Sequence, residues 1–238
     1  MSSPLEQVSL IRYADADAWV QGIAEEMAQI LVHEVERRGQ ARLLVSGGTT
    51  PAPVYEALAL HPLDWPKVEV GLVDERWLSP QDRDSNTWLV RHSFLERAEG
   101  SQFNPLVRQG KELADCVHDA NLHAAHALAP CLAVLGMGND GHTASLFPGS
   151  IDLPRALASR QHYAALDATG CPGANQWPLR ITLTPAGLAA CGTRMLLLRG
   201  KQKLDVLDAA LAGDDPLEYP IRVAIHQPGP RLRVHWCP

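Results

Sequence analysis

Short apolar runs alternate with amphipathic stretches from one end of the chain to the other. The runs fall at 8–12, 42–46, 68–73, 131–135, 163–166, 180–184, 195–198, 223–225 and 232–236, and several of them, such as CLAVL at 131–135, have no polar face at all. A strand that is apolar on both sides is buried on both sides, which is the habit of parallel sheets. Helical periodicity fills the intervals at 17–38, 51–60, 86–97, 111–128 and 201–211. The first of these helices has Asp15 or Asp17 placed to cap its amino end, and Gly39 follows a basic last turn at its carboxyl end. Strand and helix in regular alternation predict an α/β fold whose mainly parallel, Rossmann-like sheet is covered by helices on both faces. No linker or internal repeat interrupts the pattern, so one domain is expected over 1–238. The stretch 149–178, rich in Gly, Pro and Ala, is the most irregular and reads as a flap over a site.

Composition narrows the classes of function. With 238 residues the chain can bury a large core, and its net charge of -6, at 20% charged residues, is opposite to that of a nucleic-acid binder. No apolar segment approaches the length of a membrane span, and the first residues lack the basic region and long apolar core of a leader, so a cytoplasmic protein without membrane partners is expected. The five cysteines are scattered, with no C-x-x-C pair, as in reduced cytosolic proteins. His118, His123 and His126 share one predicted helix, but no third ligand type accompanies them, and the expectation is a solvated face with no metal.

The chemistry gathers at the ends of predicted strands. After the run at 131–135 comes GMGNDGHTASLFP, whose Gly136, Gly138 and Gly141 permit a sharp turn and deliver Asp140 and His142 two positions apart. The carboxyl edge of a parallel sheet is where α/β proteins bind ligands, and a histidine there can exchange protons near neutral pH. The glycine spacing also fits a dinucleotide fingerprint, yet Pro148 and Gly149 cut off the helix that fingerprint requires, and no carboxylate stands near 156–158 to hold a ribose. A lone histidine in such a setting is more often a core residue bonded to backbone; the company of two further strand ends alters the balance.

One of these is SGGTTP, in which Ser46, Gly47, Gly48, Thr49 and Thr50 lead into Pro51 at a helix start. Unpaired N–H groups and the helix dipole favour an anion there, although a plain strand-to-helix connection has the same look. The lysine of a Walker loop is missing, which argues against nucleoside triphosphate hydrolysis. The other strand end emits Asp74, Glu75 and Arg76 in succession. Arg76 can grip phosphate in a fork, while the two carboxylates can orient it, hold sugar hydroxyls or face solvent. A further strand ends at RGKQK, where either Lys201 or Lys203 could reach the same anion.

SGGTTP, DERW with Ser85 and Asn86 behind it, GMGNDGHTASLFP, RITLTPAGL and GKQK occur in this order, and on them the chain resembles the 6-phosphogluconolactonase family over nearly its whole length. The resemblance implies the sugar-phosphate isomerase/lactonase type of fold and a carboxylic ester hydrolase. Its reaction would be the hydrolysis of 6-phospho-D-glucono-1,5-lactone to 6-phosphogluconate in the oxidative pentose phosphate pathway, a step without NADPH. Carried over, it makes His142 the base with Asp140 beside it. It puts the sugar phosphate against Ser46, Gly47, Gly48, Thr49, Asp74, Arg76, Gly138, Lys203 and Arg180. It implies no cofactor and no metal, since the lactone is already electrophilic. In RITLTPAGL the proline, Pro185, stands one position earlier than in the family's usual RITLTLPAL, which leaves the role of Arg180 open. Two rival readings are a glucosamine-6-phosphate deaminase or isomerase, which by resemblance would carry AFNEP where this chain has ASLFP, and a non-catalytic sugar-phosphate sensor, for which no DNA-binding extension is present.

Overall fold

The computed structural model describes residues 8–174 and 176–238. Seven strands, β1 (Val8–Arg12), β2 (Ala41–Val45), β3 (Val68–Leu72), β5 (Gln102–Asn104), β6 (Leu132–Leu135), β9 (Thr193–Arg199) and β10 (Leu232–Cys237), form one sheet in the order β1-β10-β9-β6-β2-β3-β5. Every neighbouring pair in it is parallel. β2 and β6 are buried at every position, which explains why their sequences carry no alternation. Helix α1 (Ala16–Arg38) begins with the Asp15 carboxylate accepting from Ala18 N at 2.8 Å and ends on Gly39 in the left-handed region, φ 79°. It lays Trp19, Ile23, Met27 and Leu31, all fully buried and four apart, along the sheet.

Chain order decides where a ligand can enter. From β2 the chain passes through α2 (Ala52–Ala59) to β3 and β5 on one side, and then returns to add β6, β9 and β10 on the other. Connections therefore leave the carboxyl ends of β2 and β6 in opposite directions, and a crevice opens between them.

A second sheet stands over that edge. The run expected as a single strand at 68–73 ends at Leu72, and Val73 hands the chain across: its N–H donates to Val45 O at 2.9 Å, and its carbonyl accepts from Leu183 N at 2.8 Å. The next three residues, β4 (Asp74–Arg76), join β8 (Leu179–Leu183) and β7 (Tyr163–Asp167) in an antiparallel sheet of order β4-β8-β7. Three other expectations change. The run at 223–225 is helical, α8 (Arg222–Ile225), because an apolar triplet carries no period that tells strand from helix. The helix expected over 86–97 is α3 (Asn86–Val90) followed by a π-helical turn, Arg91–Leu95. The irregular stretch 149–178 holds, besides the expected strand at 163–166, now β7, an unforeseen helix α5 (Leu153–Leu157), and a 3-10 turn at Pro172–Ala174 lies against the crevice. Helices α4 (Leu113–His126), α6 (Pro185–Ala189) and α7 (Lys201–Leu211) complete the described chain. Among the described residues no helix is long and apolar enough to cross a membrane.

Candidate active site

A cleft of about 240 Å³ lies at the crevice between β2 and β6. One wall is the turn after β2. Tyr55 of α2, fully buried, donates its hydroxyl to Ser46 O at 2.9 Å and accepts from Ser46 N at 3.1 Å, which fixes the start of the turn. Beyond it the N–H groups of Gly47, Gly48, Thr49 and Thr50 meet no acceptor among the described residues, and α2 begins at Pro51 without a side-chain cap. Gly48 has φ 93°, and a Cβ on Gly47 would overlap the Asn86 amide, so both positions require glycine. The Ser46 hydroxyl is buried and unpartnered on the cleft wall. Thr50 lines the cleft, whereas Thr49 is exposed and stands outside it.

Strand alternation divides the DER triplet. Asp74 and Arg76 face the cleft, and Glu75 points the other way, fully buried. Glu75 accepts from Arg76 N, Asn86 N, Thr87 N and the Ser85 hydroxyl at 2.7–3.0 Å, holding the amino end of α3. Burial pushes its carboxyl above the ordinary range, against the pull of those bonds. The Asp74 carboxylate accepts from the Ser145 hydroxyl at 2.5 Å and from Asn86 Nδ2 at 3.3 Å. Arg76 donates to Asp84 O at 2.5 Å.

The opposite wall is the loop after β6. It closes on itself through Thr143 Oγ1 donating to Gly136 O and Gly138 N to His142 O, both at 2.9 Å, and it places Ala144 at φ 50°. His142 Nδ1 lies 2.6 Å from Asp140 Oδ1. A carboxylate only accepts, so Nδ1 is the protonated nitrogen, and in the neutral ring the lone pair is on Nε2. Burial alone would raise the Asp140 carboxyl, but the hydrogen bond and charge of His142 outweigh it and hold it below the ordinary range. A Cβ on Gly138 would collide with both members of the pair, and one on Gly173 of the 3-10 turn would come within 2.6 Å of Asp140 Oδ2.

Lys203 of α7 reaches back to Met137 O at 2.6 Å; burial lowers its ammonium, opposed by the charge of Asp140. Lys201 is exposed and paired with Asp205, so of the two lysines only Lys203 lines the cleft. Arg180 also lines it, at 4% exposure. Its guanidinium donates to Trp177 O at 2.6 Å, Ala174 O at 2.8 Å and Ser145 Oγ at 3.4 Å, so two of these three bonds hold the flap. Ser46, Gly47, Gly48, Asp74, Arg76, Gly138, His142, Lys203 and Arg180 thus share one cleft, and Asp140 backs it.

Sequence reasoning did not single out Asn86, Phe147, Gly173 and Arg199 as lining residues. Arg199 carried a signal, since it stands at the same strand end as Lys203. Gly173 carried none, because its role exists only through contact across the fold.

Residues 14–236 match the model of the family described as glucosamine-6-phosphate isomerases/6-phosphogluconolactonase, and the chain belongs to that family. Within it, the 6-phosphogluconolactonase of Xylella fastidiosa strain 9a5c is 63% identical over 231 residues, 97% of each chain. The crystal structure of a 6-phosphogluconolactonase from Shewanella baltica OS155 superposes with a TM-score of 0.90 at 33% identity, over 97% of this chain and 98% of that one. A monomeric glucosamine-6-phosphate deaminase shares the fold at 19% identity and a TM-score of 0.78, over 96% and 97% of the two chains. The fold therefore serves more than one chemistry, and function has to be read from the cleft.

Proposed function

We propose that this cleft hydrolyses 6-phospho-D-glucono-1,5-lactone to 6-phosphogluconate, the lactone-opening step of the oxidative pentose phosphate pathway. The observation that carries the reading is the meeting, at one topological switch point, of a turn with free amides and an Asp-oriented imidazole. The phosphate dianion sits on the amides of Gly47 and Gly48, with Lys203 and Arg76 as its cations. Asp74, its carboxylate oriented by Asn86 and Ser145, accepts from a sugar hydroxyl.

Anchored in this way, the ring presents C1 to a water beside His142. Nε2 takes a proton from the water as its oxygen bonds to C1, and Asp140 balances the imidazolium that forms. The tetrahedral intermediate then collapses with cleavage of the C1–O5 bond, and the imidazolium returns the proton to O5. The products are a carboxylic acid, which ionises, and a free hydroxyl. Phe147 stands at the position of the Glu in the deaminase motif AFNEP, and it packs against His142 with ring centroids 4.5 Å apart. The second carboxylate that the rival motif would place beside the histidine is therefore missing here, which weighs against the deaminase reading.

The test is a coupled assay that generates the phospholactone in situ and follows its disappearance against the spontaneous rate, with glucosamine-6-phosphate offered in parallel. Acceleration of lactone loss without ammonia release is expected. Ammonia release with lactone loss at the spontaneous rate would overturn the reading.

A further inference from the structure

Phe147 is 1% exposed, and two groups of the cleft rest on it. The His142 imidazole lies with its centroid 4.5 Å from that of the phenyl ring at 46°, and the Arg180 guanidinium carbon lies over the ring at 5.2 Å. Among the described residues, Phe147 is the aromatic ring that lies against the imidazole. Gly138 and Gly173 approach its Nδ1 edge, and glycines offer no side chain to fix a ring plane. The bond from Nδ1 to Asp140 holds one edge of the imidazole, and the phenyl ring of Phe147 packs against the imidazole as a second restraint. The phenyl ring in turn belongs to a small apolar cluster with Leu146, Leu153, Leu166 and Ala174, separate from the main core. Ala174 lies in the flap, whose carbonyl Arg180 also holds at 2.8 Å.

We infer that Phe147 is a positioning residue for the lactone-opening reaction: its ring face fixes the plane of His142, and hence the direction of the Nε2 lone pair. Through Arg180 it ties that direction to the flap. This rests on the reading of His142 as the base.

The role is confined to the chemical step. The proposed phosphate contacts lie on the turn after β2, on β4 and on α7, so substrate affinity should survive loss of the phenyl face while the attacking geometry degrades. Phe147→Leu keeps an apolar side chain of similar bulk and removes the flat face. It is expected to lower kcat about tenfold with KM within twofold of the parent, a loss of the size that misplacing a general base produces. In proton NMR, the His142 Nδ1 proton, assigned by its disappearance in His142→Ala, should broaden or vanish in Phe147→Leu while the remaining spectrum stays folded. If Phe147→Leu unfolds, Phe147→Met is read in the same way.

A kcat within twofold of the parent overturns the inference. So does a lower kcat with the Nδ1 resonance unchanged, a KM that rises as kcat falls, or activity that only tracks the loss of folded protein in both variants. His142→Ala separates the two levels. If that variant keeps its turnover, the assignment of the base has failed; if it is inactive beside an unaffected Phe147→Leu, only the positioning role has failed.

Discussion

At the scale of single residues, the site is a division of labour by geometry. In the DER triplet, one pleat sends Asp74 and Arg76 into the cleft and Glu75 to the amino end of α3. The sequence shows three charges in a row and cannot say which face each takes, because that depends on the chain changing sheets at Val73. The place of His142 in the cleft was legible, since a glycine-rich turn after a wholly apolar strand brings it to the carboxyl edge of the sheet. His142→Ala is expected to reduce kcat by about 10²- to 10⁴-fold with product affinity nearly intact. Unchanged turnover in a stopped assay would remove the imidazole from its role. Arg76→Ala should act mainly on KM and erase most of the preference for phosphorylated over unphosphorylated lactone. Equal discrimination before and after would show that the guanidinium does not meet the phosphate.

At the scale of elements, four strand ends, those of β2, β3, β6 and β9, supply the chemistry, and two loops close around them. Asp84 joins these loops: its carboxylate accepts from Gln176 Nε2 at 3.0 Å and Trp177 Nε1 at 2.9 Å, and its carbonyl accepts from Arg76. Asp84→Ala removes the two flap bonds and leaves the carbonyl in place. Exposed hydrogen bonds contribute about 1 kcal/mol each, so the amides of Gln176 and Trp177 should exchange roughly tenfold faster in hydrogen-exchange measurements, with a modest rise in KM. Exchange at the parent rate would show that the loops are held by other contacts. This latch could not be read beforehand, since its partners lie 92 and 93 residues apart. The long helices and parallel strands could, because period and capping are local signals, as in α1 from Asp15 to Gly39. The triplet at 223–225 was misread because it offers no period.

At the scale of the whole molecule, the parallel order β1-β10-β9-β6-β2-β3-β5 creates the crevice, and the sequence pattern foretold the class of sheet but not which strands flank the opening. The same sheet buries a titratable group far from the chemistry. His235 of β10 is fully buried, with Nδ1 2.9 Å from the Tyr13 hydroxyl and Nε2 3.7 Å from Glu26. Burial lowers its pKa to about 4, with Glu26 opposing and Arg233 adding to the shift. An unfolded chain takes up the proton near the ordinary value of 6.5 while the folded one does not. Stability is therefore undiminished above about pH 6.5 and falls as the pH drops towards 4, by up to about 3 kcal/mol from this group. Urea unfolding across that window should show a shallower decline in His235→Gln. The same slope in both proteins would mean that other groups take up the protons.

The central claim is one of convergence: an anion held at the amino end of α2 presents an ester carbon to an imidazole from the loop after β6. A crystal structure with 6-phosphogluconate bound tests it most directly. The phosphate is predicted within hydrogen-bond distance of the Gly47 and Gly48 amides and Lys203, with the new carboxylate beside His142 Nε2. A phosphate bound away from that turn, or a C1 carboxylate out of reach of His142, would contradict it.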